Sequence, residues 1–292
     1  MGLENASVIL LAGGFGKRVR RLHPELPKPL IPVAGRPFID WICRYWARQG
    51  IRRIIVSLGH LAGVAERHFQ SADWGDLQIL TTREEEPLGT GGAVVHAARS
   101  HDCGDPFIVA NGDSLVFGPV SEAWDLIDTE PQIETEPRTQ VRGQASGPVK
   151  GQASGQQHQQ PASHDQKPAR TKCCDGVILG REVADASRYG SLRTDEQGRL
   201  LDFAEKRPGK ALINAGVYVL RKSLLEQFPD RIPLSMELDV FPALLKADVD
   251  LRVHPVTGDF IDIGTPRDLR RASRFIESHR EELEFPTRPV KR

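Results

Sequence analysis

Residues 11–28 read LAGGFGKRVRRLHPELPK. Three glycines, Gly13, Gly14 and Gly16, follow a short apolar run, with Lys17, Arg18 and Lys28 close behind. Glycines let backbone N–H groups approach phosphate oxygens, and cationic side chains then neutralise their charge. Two familiar phosphate loops do not fit. A P-loop needs Ser or Thr after Gly-Lys, where this chain has Arg18, and a dinucleotide loop needs a third glycine where it has Val19. Taken alone, the cluster could equally be a tight turn with a basic surface.

Other candidate groups lie far apart in the chain. EPLGTGG (residues 86–92) reads as a glycine-rich helix entry. Asn111-Gly112-Asp113 ends an apolar run, and Asp262 stands in FIDIG (residues 260–264). A strand-end Asp is ordinarily a cap or turn residue. Two such carboxylates at one sheet edge would suit Mg²⁺, which takes few protein ligands and keeps phosphate oxygens and water. Tyr189-Gly190, Glu205-Lys206 and Asn214-Ala215-Gly216 complete the set.

The elements that must position these residues follow from periodicity. Residues 7–12 form a continuous apolar run, as in a strand buried on both faces. Residues 37–49 read as a helix, with Pro37 near its start and Gly50 past its end. Strands over 53–58, 77–81 and 106–111 alternate with helices over 61–69 and 90–99. This β-α-β-α order predicts a Rossmann-like, doubly wound, mostly parallel α/β sheet. Beyond residue 172, strand-like runs at 176–179, 191–193, 199–204 and 212–220, with a turn at 195–198, predict a small mixed-sheet extension. A last helix starts at Thr265, with Pro266 at its first position and Asp268 placed for a capping box.

Residues 129–172 hold no aromatic residue and repeat GQASG at 143–147 and 151–155. Such a segment buries too little apolar surface to offset its ordering entropy, so it is expected to be a disordered insertion. One domain is thus expected from two halves, 1–128 and 173–282, with a tail at 283–292. Thirty-nine basic and thirty-nine acidic side chains cancel, which argues against nucleic acid or an anionic membrane as partner. The absence of a long apolar run and the unpaired spacing of Cys43, Cys103, Cys173 and Cys174 suggest reduced thiols and a cytoplasmic location.

With PKPLIPVAGRPFID (residues 27–40) after it, the glycine segment closely resembles the signature of sugar-1-phosphate nucleotidyltransferases. The other motifs occur in that family's order. The resemblance implies a nucleotide site at Leu11, Ala12, Gly13, Gly14, Gly16, Lys17, Glu86, Pro87, Gly89 and Thr90. It assigns Arg18 and Lys28 to catalysis, Asp113 and Asp262 to Mg²⁺, and Tyr189, Gly190, Glu205, Lys206 and Asn214 to the sugar phosphate. The stretches EEEPLGTGGA, NGDSLV, SRYG, LINAGVYVL and FIDIGTPRD look most like D-glycero-D-manno-heptose 1-phosphate guanylyltransferases, implying GTP and a heptose 1-phosphate. Mannose 1-phosphate guanylyltransferases and N-acetylmuramate 1-phosphate uridylyltransferases share the first signature and are the enzymatic alternatives. A catalytically silent regulatory subunit is the non-enzymatic one. The insertion leaves a homo-oligomer open.

Overall fold

The computed structural model describes residues 2–16, 18–128, 174–204 and 208–284. In chain order the first half contains β1 (Ser7–Leu11), β2 (Pro32–Val33), β3 (Arg36–Pro37), α1 (Phe38–Arg48) and β4 (Arg53–Leu58). Then come α2 (Ala62–Ser71), β5 (Gln78–Arg83), α3 (Gly89–Ser100), β6 (Phe107–Asn111), β7 (Ser114–Val116) and α4 (Val120–Asp128). The second half contains β8 (Gly176–Val183), β9 (Ser191–Thr194), β10 (Leu200–Ala204), β11 (Ala211–Leu220) and α5 (Phe241–Lys246). It ends with β12 (Leu251–Val256), β13 (Phe260–Asp262), α6 (Pro266–Ser278) and α7 (Arg280–Leu283).

Four parallel strands, ordered β6-β1-β4-β5, form one side of the main sheet. Strand β1 has no solvent-facing side. Val8 and Leu10 point into one core with Ile54, Val56 and Ile108, while Ile9 points into the other with Ile55 and Val109. That two-sided burial is why the sequence shows a run rather than an alternation. Helix α1 closes the first core with Phe38, Trp41 and Ile42, and α3 the second with Val94 and Ala97.

The expected mixed extension is present and joins the parallel strands in antiparallel sense. Strand β11 runs beside β6, pairing Val217 with Ala110, and on its other side meets β8 and β9. Strand β12 adds to β8 in parallel. From β1 the chain winds through α1 to β4 and α2 to β5, and α3 then returns it to β6 on the far side of β1. Winding therefore reverses between β1 and β6, and a crevice opens where their carboxyl ends diverge.

The expected strands and helices are present, with ends shifted by at most four residues. The α6 cap differs in detail. Thr265 accepts from Asp268 N at 3.3 Å, but the Asp268 carboxylate takes the Thr265 hydroxyl at 2.5 Å and the Arg188 guanidinium. Cys43, Cys103 and Cys174 are buried free thiols, and burial pushes the Cys43 thiol up. No helix among the described residues is long and apolar enough to cross a membrane. The expected insertion at 129–172 lies outside the described residues.

Candidate active site

The glycine loop leaves β1 at the crevice and is pinned from both neighbouring strands. Ala12 N donates to Ser57 O at 2.9 Å, His60 N to Gly13 O at 3.3 Å, and Gly112 N to Leu11 O at 2.9 Å. These bonds bring the loop close to its neighbours at Gly13 and Gly59. A Cβ on Gly13 would lie 2.4 Å from Glu84 Oε1, and one on Gly59 2.6 Å from Gly13 O. Gly16 turns in the left-handed region, φ +56°, and rests on the Lys28 stem.

A cavity of about 330 Å³ occupies the crevice. Of the residues expected at the nucleotide, Leu11, Ala12, Gly13, Gly14, Pro87, Gly89 and Thr90 line it, together with Lys28 and Asp113. Glu86 lines an adjoining cavity of about 270 Å³ beside His60. The GTGG turn is itself braced from the second half. Gly91 N donates to Leu234 O at 2.7 Å, Leu234 N to Leu88 O at 2.8 Å, and Met236 N to Thr90 Oγ1 at 2.8 Å. Gly89, φ +76°, has no room for a side chain because a Cβ would lie 2.4 Å from Leu234 O. Thr90 therefore has a structural task besides lining the cavity.

The two aspartates are brought together by two three-residue strands. Strand β7 pairs with β13 in antiparallel register, Ser114 opposite Asp262, and Ile263 N donates to Asp113 O at 3.0 Å. Lys28 Nζ makes an ion pair with Asp113 Oδ2. Asp262 accepts from the Tyr189 hydroxyl, from Arg188 Nη2 at 3.2 Å and from Gly264 N at 2.8 Å. Burial, reinforced by the Asp262 carboxylate, pushes the Tyr189 hydroxyl well above its ordinary range. Arg18 is exposed and lies against the same turn, its Nη2 3.4 Å from where a Gly264 Cβ would be.

No group of three or more metal-ligating side chains occurs among the described residues. A cation here would have Asp113 and Asp262 as carboxylate donors and would fill its remaining positions with phosphate oxygens and water. That donor set fits Mg²⁺.

The nucleotidyl transferase family model matches residues 7–135 and 155–279. The chain belongs to that family. A D-glycero-alpha-D-manno-heptose 1-phosphate guanylyltransferase from Aneurinibacillus thermoaerophilus is 28% identical over 93% of this chain and 98% of its own. A mannose-1-phosphate guanylyltransferase from Mycobacterium tuberculosis is 29% identical over 94% of this chain. The chain spans 65% of that relative's length. The crystal structure of HddC from Yersinia pseudotuberculosis complexed with GMP-PN superimposes with a TM-score of 0.69 at 29% identity, covering 93% and 99% of the two chains.

Asn214, expected at the sugar phosphate, is held inward. Its Nδ2 donates to the Tyr218 hydroxyl at 2.9 Å and to Glu237 Oε1 at 2.7 Å, and its Oδ1 accepts from Gly216 N. Its amide is thus spent on shaping β11 and on positioning Glu237. Gly190 supports it from the backbone, accepting from Asn214 N at 3.3 Å. Lys17, Glu205 and Lys206, expected at the substrates, lie outside the described residues. Sequence reasoning did not single out Glu84 or Arg188. Glu84 clasps Ser57 Oγ and Leu88 N, both at 3.1 Å, and so ties β4 to the GTGG turn. Arg188 joins Asp262 to Asp268. Their neighbours EPLGTGG and Tyr189 were the signals that could have found them.

Proposed function

We propose that this chain transfers GMP from GTP to a sugar 1-phosphate, most closely D-glycero-D-manno-heptose 1-phosphate, and releases pyrophosphate. The observation that carries this reading is that the glycine loop, Lys28 and Asp113 line one crevice, with the strand of Asp262 paired to the strand that follows Asp113. Support for guanine comes from the relatives, named as guanylyltransferases, and from HddC in complex with GMP-PN.

The anionic phosphate oxygen of the sugar 1-phosphate attacks the α-phosphorus in line. The P–O bond to the β-phosphate breaks, and its electron pair leaves with pyrophosphate. The nucleophile already bears its charge, so no general base is required, and catalysis reduces to alignment and charge neutralisation. The glycine loop turns backbone N–H groups to the triphosphate. Lys28 exchanges Asp113 for phosphate oxygens, and Arg18 meets the departing pyrophosphate. Asp113 and Asp262 would hold Mg²⁺, which when bound supplies Lewis-acid polarisation of the phosphoryl oxygens. Tyr189 and Arg188 hold the Asp262 carboxylate in place, and Glu205 and Lys206 are assigned to the sugar and its phosphate.

Mannose 1-phosphate is the second reading, favoured by the similarity to the mycobacterial relative. The test is pyrophosphate release with Mg²⁺, crossing GTP, UTP, CTP, ATP and dTTP against heptose, mannose, glucose and N-acetylmuramate 1-phosphates. Turnover with GTP and the heptose supports the first reading, and GTP with mannose alone supports the second. Folded protein that turns over no pair overturns both.

A further inference from the structure

Helix α6 carries a charge pattern that the reaction above does not use. Arg267, Arg270, Arg271 and Arg274 fall at i, i+3, i+4 and i+7, the spacing that lines one face of a helix. All four are exposed, while Asp268, Ala272 and Ile276 are buried on the opposite side. With Ile261 and Phe275, the arginines line a surface groove of about 670 Å³. This groove shares no lining residue with the crevice cavity.

Four guanidiniums within roughly 10 Å of helix repel one another, and the chain has as many acidic as basic residues with which to balance them. Among the described residues few of these charges are balanced. Arg271 approaches Asp268 only to 3.8 Å, and the closer cation on that carboxylate is Arg188 at 2.8 Å. Arg267, Arg270 and Arg274 make no ion pair with any described residue. Exposed guanidiniums in a row, three of them without an ion pair to any described residue, match phosphate oxygens, which they grip two hydrogen bonds at a time.

We propose that this face of α6 is a second anion site that takes a small phosphorylated ligand of the pyrophosphate or nucleoside diphosphate class. The groove volume is that of a small-molecule site. The charge around it also limits the ligand. Glu277 stands in the groove, and α7 follows with Glu281 and Glu282. A long polyanion or an anionic bilayer laid along the helix would meet these carboxylates.

The test is calorimetric titration of the full chain with pyrophosphate, comparing wild type, Lys28→Met, and Lys28→Met with Arg270→Gln and Arg274→Gln added. Lys28→Met weakens the crevice and leaves the groove, so binding that survives it should fall at least about ten-fold when the two arginines are lost. Thermal unfolding of each variant checks that the helix is intact. Residual binding indifferent to Arg270 and Arg274, or no residual binding in Lys28→Met, would overturn the proposal. So would phosphatidylglycerol vesicles that cosediment with the protein through these arginines while pyrophosphate does not bind. The titration needs no turnover, so it reads the groove even if the proposed reaction fails.

Discussion

Lys28→Met separates the charge of this side chain from its stem. The Lys28 Nζ pairs with Asp113, and the two side chains are 12% and 38% exposed. The stem lies under the glycine loop, where a Cβ on Gly16 would sit 2.9 Å from Lys28 Cβ. Methionine keeps a flexible apolar stem in that place and removes only the charge. Asp113 keeps its contact with water, so losing its partner costs the fold about 0–1 kcal/mol. At this chain length that is at most roughly 4 °C in Tm. The effect on turnover is of another size. Removing one cationic donor aimed at charge that develops in the transition state lowers kcat by about 10²–10³, roughly 3–4 kcal/mol.

The two magnitudes can be read independently, by pyrophosphate release with GTP and by a thermal melt of the same preparation. A folded variant with kcat within about three-fold of wild type would refute the catalytic role of the charge. A fall in Tm of roughly 10 °C or more would refute the division, because the side chain would then be holding the loop in place.

Three further outcomes follow from the same geometry. The chain's three tyrosines, Tyr45, Tyr189 and Tyr218, are all raised by burial, Tyr45 to about 12. Unfolded tyrosine releases its proton near pH 10, so the Tyr45 contribution of about 2–3 kcal/mol is full below that pH and lost as pH rises from 10 through 12. Phenolate absorbance that rises at pH 10 before unfolding would contradict this. Gly89→Ala puts a Cβ 2.4 Å from Leu234 O at φ +76°, with an expected loss of about 1–3 kcal/mol in urea unfolding and weaker nucleotide binding; an unchanged midpoint would sink it. Arg188→Ala strips Asp268, whose side chain is 4% exposed, of its 2.8 Å partner and should cost about 1–3 kcal/mol. Equal urea midpoints for the variant and wild type would show that Thr265 and Arg271 suffice.

The sequence shows most clearly what a single element determines. The run at β1 predicts a strand buried on both faces, and the structure buries Val8, Ile9 and Leu10 completely. The glycines after it predict a close backbone approach, and Gly13 has its neighbours within clash distance. Contacts between distant segments could not be read in this way. Asn214 carries hydrogen-bonding groups that suit a sugar, yet its amide is engaged by Tyr218, Glu237 and Gly216. Glu84 stands among three consecutive glutamates, and only the neighbouring strand shows which of them is clasped.

The aspartate pair is the sharpest case. Asp113 and Asp262 reach the same edge because two strands of three residues each pair there, too short for any alternation to show. The pairing continues beyond them, with Phe117 N donating to Asp259 O at 2.9 Å, and there the chain must come very close to itself. A Cβ on Gly258 would lie 1.9 Å from Phe117 O. Gly258 is thus the residue in the sequence that permits the approach, and alone it reads as an ordinary turn glycine. A substitution there should separate Asp113 from Asp262 without touching either carboxylate, because the two meet through the backbone of β7 and β13.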